Sequence, residues 1–129
     1  VGKNLQDHYV VILGPIDVEE GKTVKGDRDF DAAALKNYLH NRAGAYATVG
    51  FETGGLLTSS LATNQNRPDI FLAYHALTAD PTLAISFEKQ YGLKPGIMQK
   101  YLAAEDRKDS FFADVVLAKP KSTGEIKLT

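Results

Sequence analysis

Cysteine and tryptophan are absent from this 129-residue chain, and methionine occurs once. Without thiols there can be no disulfide, no thiolate nucleophile and no Cys-based zinc site, and the lack suits oxidising and reducing compartments alike. Excess charge of one sign is missing too: charged residues make up 24% of the chain and the formal net charge is −1. Proteins that neutralise successive phosphates carry a basic excess, so nucleic acid is not expected as a partner. No apolar run approaches the ~20 residues needed to cross a bilayer, and the first residues show neither the basic nor the apolar region of a secretory signal. A membrane partner is therefore not expected, and the compartment is not indicated.

What is present suits one folded domain over 1–129, because 43% hydrophobic content at this length is enough to bury a core. Tyr9 to Ile16 is apolar and β-branched and reads as a strand entering a turn at Gly14-Pro15. Val18 to Lys25 reads as a hairpin or loop. From Asp29 the apolar period becomes helical through Phe30, Ala34, Leu35, Tyr38 and Leu39, with Gly44 suited to the C-terminal stop. The Gly-rich stretch Gly50 to Ser60 suggests bent strands, and Ile70 to Leu77 reads as a central strand covered on both faces. Asp80-Pro81 predicts a helix start with Gly92 as its stop, and Pro95 to Lys108 a second helical stripe. Phe111 to Ala118 predicts a strand, and Glu125 to Leu128 a last one. The expected class is α+β, an antiparallel or mixed sheet with helices packed on one face.

Few residues group into recognisable chemistry. Asp27-x-Asp29-x-Asp31 imitates the opening of a calcium loop, but Ala32 and Tyr38 stand where that loop needs Gly and Glu, so helix capping is the simpler reading. His8, His40 and His75 fall in different elements without metal-ligand spacing, so no metal site is expected. Ser59, Ser60, Ser86, Ser110 and Ser122 show no nucleophile-elbow sequence, leaving a hydrolase unsupported. His40 suits the negative end of the first long helix. His75 is the most suggestive single residue, a polar ring on an apolar strand that is either a satisfied core histidine or part of a pocket for a hydroxylated ligand. Phe71 and Ala73 share its parity and would share its face; Tyr74 points the other way and is the weaker candidate.

Val1-Gly-Lys-Asn-Leu-Gln-Asp-His8 resembles the Val-Gly-x-Asn-Leu-x-Asp-His stretch of the glucose-methanol-choline oxidoreductases, where it marks the crossing from flavin-binding to substrate-binding domain. Gly50-Phe-Glu52 followed by Gly55, Pro68-Asp69-Ile70 and Pro120-Lys-Ser-x-Gly124 resemble later landmarks of that family, in the same order. Two departures are Thr123 in place of a common Arg and Ala45 in place of a common Pro, and Thr82 to Lys108 matches no landmark, as a variable helical lid would. The resemblance implies the substrate-binding domain of an FAD-dependent alcohol oxidase or dehydrogenase. Residues 1–8 would cross from a flavin-binding domain of the same parent chain, which would be its partner along with a small alcohol substrate. It implies no catalytic residue here, since the dinucleotide fingerprint would lie upstream and the catalytic His downstream. His75, Phe71, Ala73 and Phe51 would wall the substrate cavity. Asn4 and Asp7 would either help seat the flavin or, with His8, bond backbone at the crossover. The alternative from another class is a stand-alone, non-catalytic binding module or antigen.

Overall fold

A computed structural model of the chain describes residues 2–103 and 108–128. Val1 of the opening stretch and 104–107 of the helical segment lie outside the described residues. The class is α+β, as the alternation of strand-like and helical stretches predicts. A short pair, β1 (Lys3–Leu5) and β6 (Gly124–Glu125), stands apart from a four-stranded sheet of β2 (Val10–Asp17), β3 (Thr53–Leu57), β4 (Ile70–His75) and β5 (Ser110–Leu117). The larger sheet runs in the order β2-β5-β4-β3, and every pairing is antiparallel. β4 and β5 are thus the interior strands, matching the expectation for Ile70 onward. Val24 and Leu77 add an isolated parallel bridge.

The helices are α1 (Gly26–Asp29), α2 (Ala32–Asn41), α3 (Pro81–Tyr91) and α4 (Ile97–Tyr101), with a 3₁₀ turn at Ala45–Ala47. Local chemistry sets their ends. The Asp31 carboxylate accepts from Ala34 N–H at 2.7 Å and starts α2; Asp80 accepts from Leu83 N–H at 2.7 Å and starts α3, with Pro81 at its first position. Gly92 ends α3 in the left-handed region, as expected. α2 stops earlier than Gly44, because Arg42 itself turns left-handed at φ 54° and closes the last turn onto the Tyr38 carbonyl. The expected stripe over 95–108 condenses to α4, whose start is held by Glu88. The Glu88 carboxylate accepts from Met98 N–H, Gln99 N–H and Gln99 Nε2. Burial pushes this carboxyl up, but the donors outweigh it and the net position is below the usual range. β6 is likewise shorter than the strand expected over 125–128.

Alternation along the strands assigns the two faces. Phe112 pairs with His75 and Asp114 with Ala73, so these share one face, together with Ile12 opposite Asp114. α3 and α4 cover that face: Ala84, Phe87, Met98, Leu102 and Phe112 form the core, with Ile12 and Leu83 against it. Phe87 meets Phe112 edge to face at 5.7 Å. The opposite face is open. Val11, Leu13 and Leu57 there are 58%, 48% and 50% exposed, so this sheet is covered on one side and β4 is not buried on both as its apolar run suggested. In β2 the Gly14–Pro15 peptide is cis, and the register shifts between Leu13 and Ile16. A side chain at Gly14 would meet the Phe111 carbonyl at 2.9 Å, at a φ of 121° that L-residues avoid.

One buried carboxylate ties the loops to the sheet. Asp109, just before β5, accepts from Gly21 N–H at 2.9 Å, Thr23 N–H at 3.0 Å, and Arg28 Nη1 at 2.7 Å. Arg28 also bonds Asp29 and the Thr23 carbonyl. The Arg28 bonds chiefly, opposed by burial and helped by the two backbone donors, hold the Asp109 carboxyl far below its ordinary range. A depressed carboxyl stabilises the fold above its unfolded pKa and loses that contribution as pH falls through the folded value. The substitution Asp109→Asn should therefore cost about 3 kcal/mol at neutral pH. The gap between wild type and variant should narrow once pH drops below about 4. Urea unfolding followed by circular dichroism at a series of pH values measures both; a gap independent of pH would exclude the charge as its source.

Candidate functional site

The open face of the sheet ends in a cleft. Its floor is an apolar concavity of about 340 Å³ lined by Val18, Thr53, Tyr74, Ala76 and Phe111. Tyr74 and Phe111 lie with ring centroids 6.1 Å apart. The floor shares Lys22, Thr23, Glu52 and Ala76 with a larger polar cleft of about 900 Å³, whose wall includes Arg28, Asp29 and Thr48. The polar wall is braced by hydrogen bonds: Asp109 and Arg28 bond the Gly21–Thr23 loop, and Thr23 Oγ1 meets Thr78 Oγ1 at 2.9 Å. At its rim, Thr48 Oγ1 donates to the Glu52 carboxylate. An apolar floor running into a rim of hydroxyl, carboxylate and ammonium groups suits a ligand that is mostly hydrocarbon with a polar end.

Phe51 and His75, grouped from the sequence, do meet: their ring centroids are 4.1 Å apart. His75 lies in the covered row with Ala73, which is 2% exposed, while Phe51 packs on it from the loop before β3 and is itself 54% exposed. Phe71 is in the same row and 38% exposed. His75 is 8% exposed, and its Nε2 lies 2.9 Å from Asp114 Oδ2, so it is satisfied by a carboxylate from the next strand, and not by backbone. The described apolar concavity belongs to the other parity of β4, where Tyr74 points. Strand alternation separates His75 from it, and sequence reasoning ranked the two in the opposite order. The Asp114 partner was also missed. Its signal was there: Phe111 to Leu117 is apolar except for that one acid, the counterpart of the single histidine in Ile70 to Leu77.

The opening and closing stretches of the chain come together. β1 pairs with β6, Ile126 N–H donates to the Gly2 carbonyl at 2.8 Å, and Gln6 Nε2 donates to the Pro120 carbonyl at 2.9 Å. A side chain on Gly2 would collide with the Ile126 carbonyl, so the glycine is what lets these segments touch. Asp7, His8, Tyr91, Ser122 and Thr123 line a cavity of about 690 Å³ beside this pair. His8 Nδ1 donates to the Leu117 carbonyl at 2.9 Å, and the Asp7 carboxylate accepts from the His8 backbone N–H at 2.8 Å. Both engage backbone, and no Asp–His side-chain dyad forms. Asn4 is exposed in β1 at φ 65°. His40 sits in the last turn of α2.

Two features that commonly hold a dinucleotide are a parallel sheet and a free helix N-terminus. The larger sheet is antiparallel throughout, and the N-termini of the two longer helices are already filled by the carboxylates of Asp31 and Asp80, which would repel a diphosphate. Asp29 bonds Arg28 and Lys25 N–H, and Asp31 caps α2, so the calcium-like spacing is spent on the backbone and an arginine. Among the described residues no three His, Cys, Asp or Glu side chains gather as a metal site would require.

Removing Asp114 should strand the His75 ring among apolar neighbours. Asp114→Leu is expected to cost about 2 kcal/mol, and the double variant His75→Leu with Asp114→Leu should cost less than the two single changes added together. Chemical denaturation of the four proteins gives the coupling; strict additivity would mean that the 2.9 Å contact is not an energetic one.

Against known proteins, no family model matches this chain and no curated protein matches it.

Proposed function

We propose that this chain is the substrate-binding domain of an FAD-dependent alcohol oxidoreductase of the glucose-methanol-choline type, and that it is catalytically silent by itself. The observation that carries the reading is surface. The chain exposes 9549 Å², where a compact monomer of 14.0 kDa exposes roughly 6,700 Å². Exposed apolar side chains contribute to the excess, among them Val11, Leu13 and Leu57 on the uncovered sheet face, at 58%, 48% and 50% exposure. A domain that closes over a substrate from one side needs such a face, with a second body to complete the cavity. In this reading the flavin-binding domain of the parent is that second body, and the flavin is carried there.

The role of this chain's own residues is then to bind and orient. Tyr74, Phe111 and Val18 would take the hydrocarbon part of a small alcohol and exclude water from it, while Thr48, Glu52 and Lys22 would meet polar groups at the rim. Bound FAD would supply hydride acceptance. The family landmarks agree with the contacts made, in that the two most particular stretches, at residues 2–8 and 120–124, lie side by side. His75, Phe71, Ala73 and Phe51, the cavity walls implied by the resemblance, do not line this floor, so the contacts proposed here fall to other residues.

Titration of benzyl alcohol and of glucose into the isotopically labelled protein tests this. Shifts should concentrate at Thr53, Tyr74 and Phe111 for benzyl alcohol, and Tyr74→Ala should weaken that binding roughly tenfold. Adding FAD together with either alcohol should leave flavin absorbance unbleached. Bleaching by the isolated chain would overturn the assignment, as would alcohol shifts confined to other surfaces. The apparent mass from light scattering should also rise with protein concentration, because the open face is apolar.

A further inference from the structure

Another cavity, of about 380 Å³, lies at the end of the sheet where Ile70 pairs with Leu117, between the loop 59–67 and the turn that follows β5. Arg67, Lys119 and Lys121 line it, with Asp69 as the one acid. The walls are built without help from those cations. Asp69 accepts from Ser59 N–H and from Ser59 Oγ, each at 2.7 Å, so its carboxylate is turned to the loop. Asp69 N–H donates to the Leu57 carbonyl at 3.1 Å, and its own carbonyl accepts from Ala118 N–H at 2.8 Å. Gln65 Nε2 closes the loop onto the Ser59 and Ala62 carbonyls, both at 3.1 Å. Pro120 is buried and pinned by Gln6.

The charges that remain are only partly compensated, Lys119 lying close enough to Asp69 to help hold its carboxyl below the usual range. Arg67, Lys119 and Lys121 are exposed, and none has an ion pair within 4 Å among the described residues. Three cations against one acid give the lining a net charge of +2, in a chain whose total is −1. Such a local excess raises the positive potential over the cavity and favours an anion there over a neutral molecule. A planar guanidinium presents a fork to two oxygens of one anion, and ammonium groups add point charges.

We propose that this cavity binds a small organic phosphate. A dianionic phosphate head matches the +2 lining, Arg67 supplying the fork and Lys119 and Lys121 the flanking charge. The volume exceeds that of phosphate alone, and Leu61 and Ala62 offer the remaining space to a short organic body. The site is distinct from the alcohol cleft, and the inference does not rest on the alcohol reading.

Calorimetric titration at low ionic strength with glycerol 3-phosphate, inorganic phosphate, citrate and glycerol tests it. Glycerol 3-phosphate should saturate a single site with a millimolar or tighter Kd, inorganic phosphate should compete for it, citrate should bind more weakly, and glycerol should not bind. Arg67→Ala with Lys121→Ala should weaken binding at least tenfold, while Lys36→Ala, an equal-sign charge change on α2, should leave it unaltered. The thermal unfolding midpoint of the double variant should stay near that of wild type, since neither side chain holds the walls. No saturable binding, equal affinity in wild type and double variant, or citrate binding as tight as the phosphate ester would each overturn the proposal.

Discussion

The Asp109 carboxylate is the point on which the arrangement of loops, sheet and cleft depends. It sits immediately before β5, the strand that pairs with both β2 and β4, and its side chain is 2% exposed. A carboxylate that deep is tolerated only with full hydrogen bonding. Here the partners are two backbone N–H groups of the Gly21–Thr23 loop and the guanidinium of Arg28. Satisfying the acid therefore fixes the loop, and Thr23 O accepting from Arg28 Nη2 at 2.6 Å fixes α1 against it. Val24 then exchanges backbone bonds with Ala76 and Thr78 beyond the end of β4. The polar wall of the cleft is a by-product of burying one charge at the start of the central strand.

The two faces of the sheet and its two edges are handled differently. α3 and α4 seal one face through Phe112 and leave the other to Val11, Leu13 and Leu57. At the β2 edge, Pro15 lacks a backbone donor, the register shifts, and Asp17 ends the strand. Those are features that discourage a further strand from adding. The β3 edge has none: Thr53-Gly-Gly-Leu-Leu57 carries neither charge nor proline, and Leu56 is 64% exposed. An uncovered face and an unguarded edge that meet at the same corner are consistent with one neighbouring body lying against both.

Elements whose limits are set by neighbouring residues were legible in the sequence. Asp80, Pro81 and Gly92 mark α3 because a carboxylate cap, a fixed φ and a left-handed stop act within a few residues of the backbone they serve. The start of α2 was legible only in part: the helical period runs from Asp29 through Phe30, but Phe30 ends α1 and it is Asp31 that caps α2. What could not be read was set by distant parts of the chain. The early end of α2 at Arg42 leaves Gly44 to open the 3₁₀ turn, where Tyr46 packs on Phe30 at 5.0 Å. α4 exists at its length because Glu88 on α3 caps it, a partner that periodicity over 95–108 cannot show. The side of β4 that faces a cavity was equally hidden. Parity sorts its residues into two rows, but which row meets helices depends on where Phe87 and Phe112 come to rest.

The His75–Asp114 contact follows from the same pairing and constrains it in return. Asp114 stands opposite Ala73, so it reaches His75 diagonally, two positions along the neighbouring strand, a separation that long side chains span. Slipping β4 by one residue against β5 would turn His75 out to the open face and leave the acid alone beneath the helices, bringing Tyr74 in its place. An unpaired carboxylate there costs several kcal/mol, more than any single apolar contact on that face could return. Two ionisable groups on otherwise apolar strands thus select one register, and that register is what aims Tyr74 and Phe111 together into the cleft on the other side of the sheet.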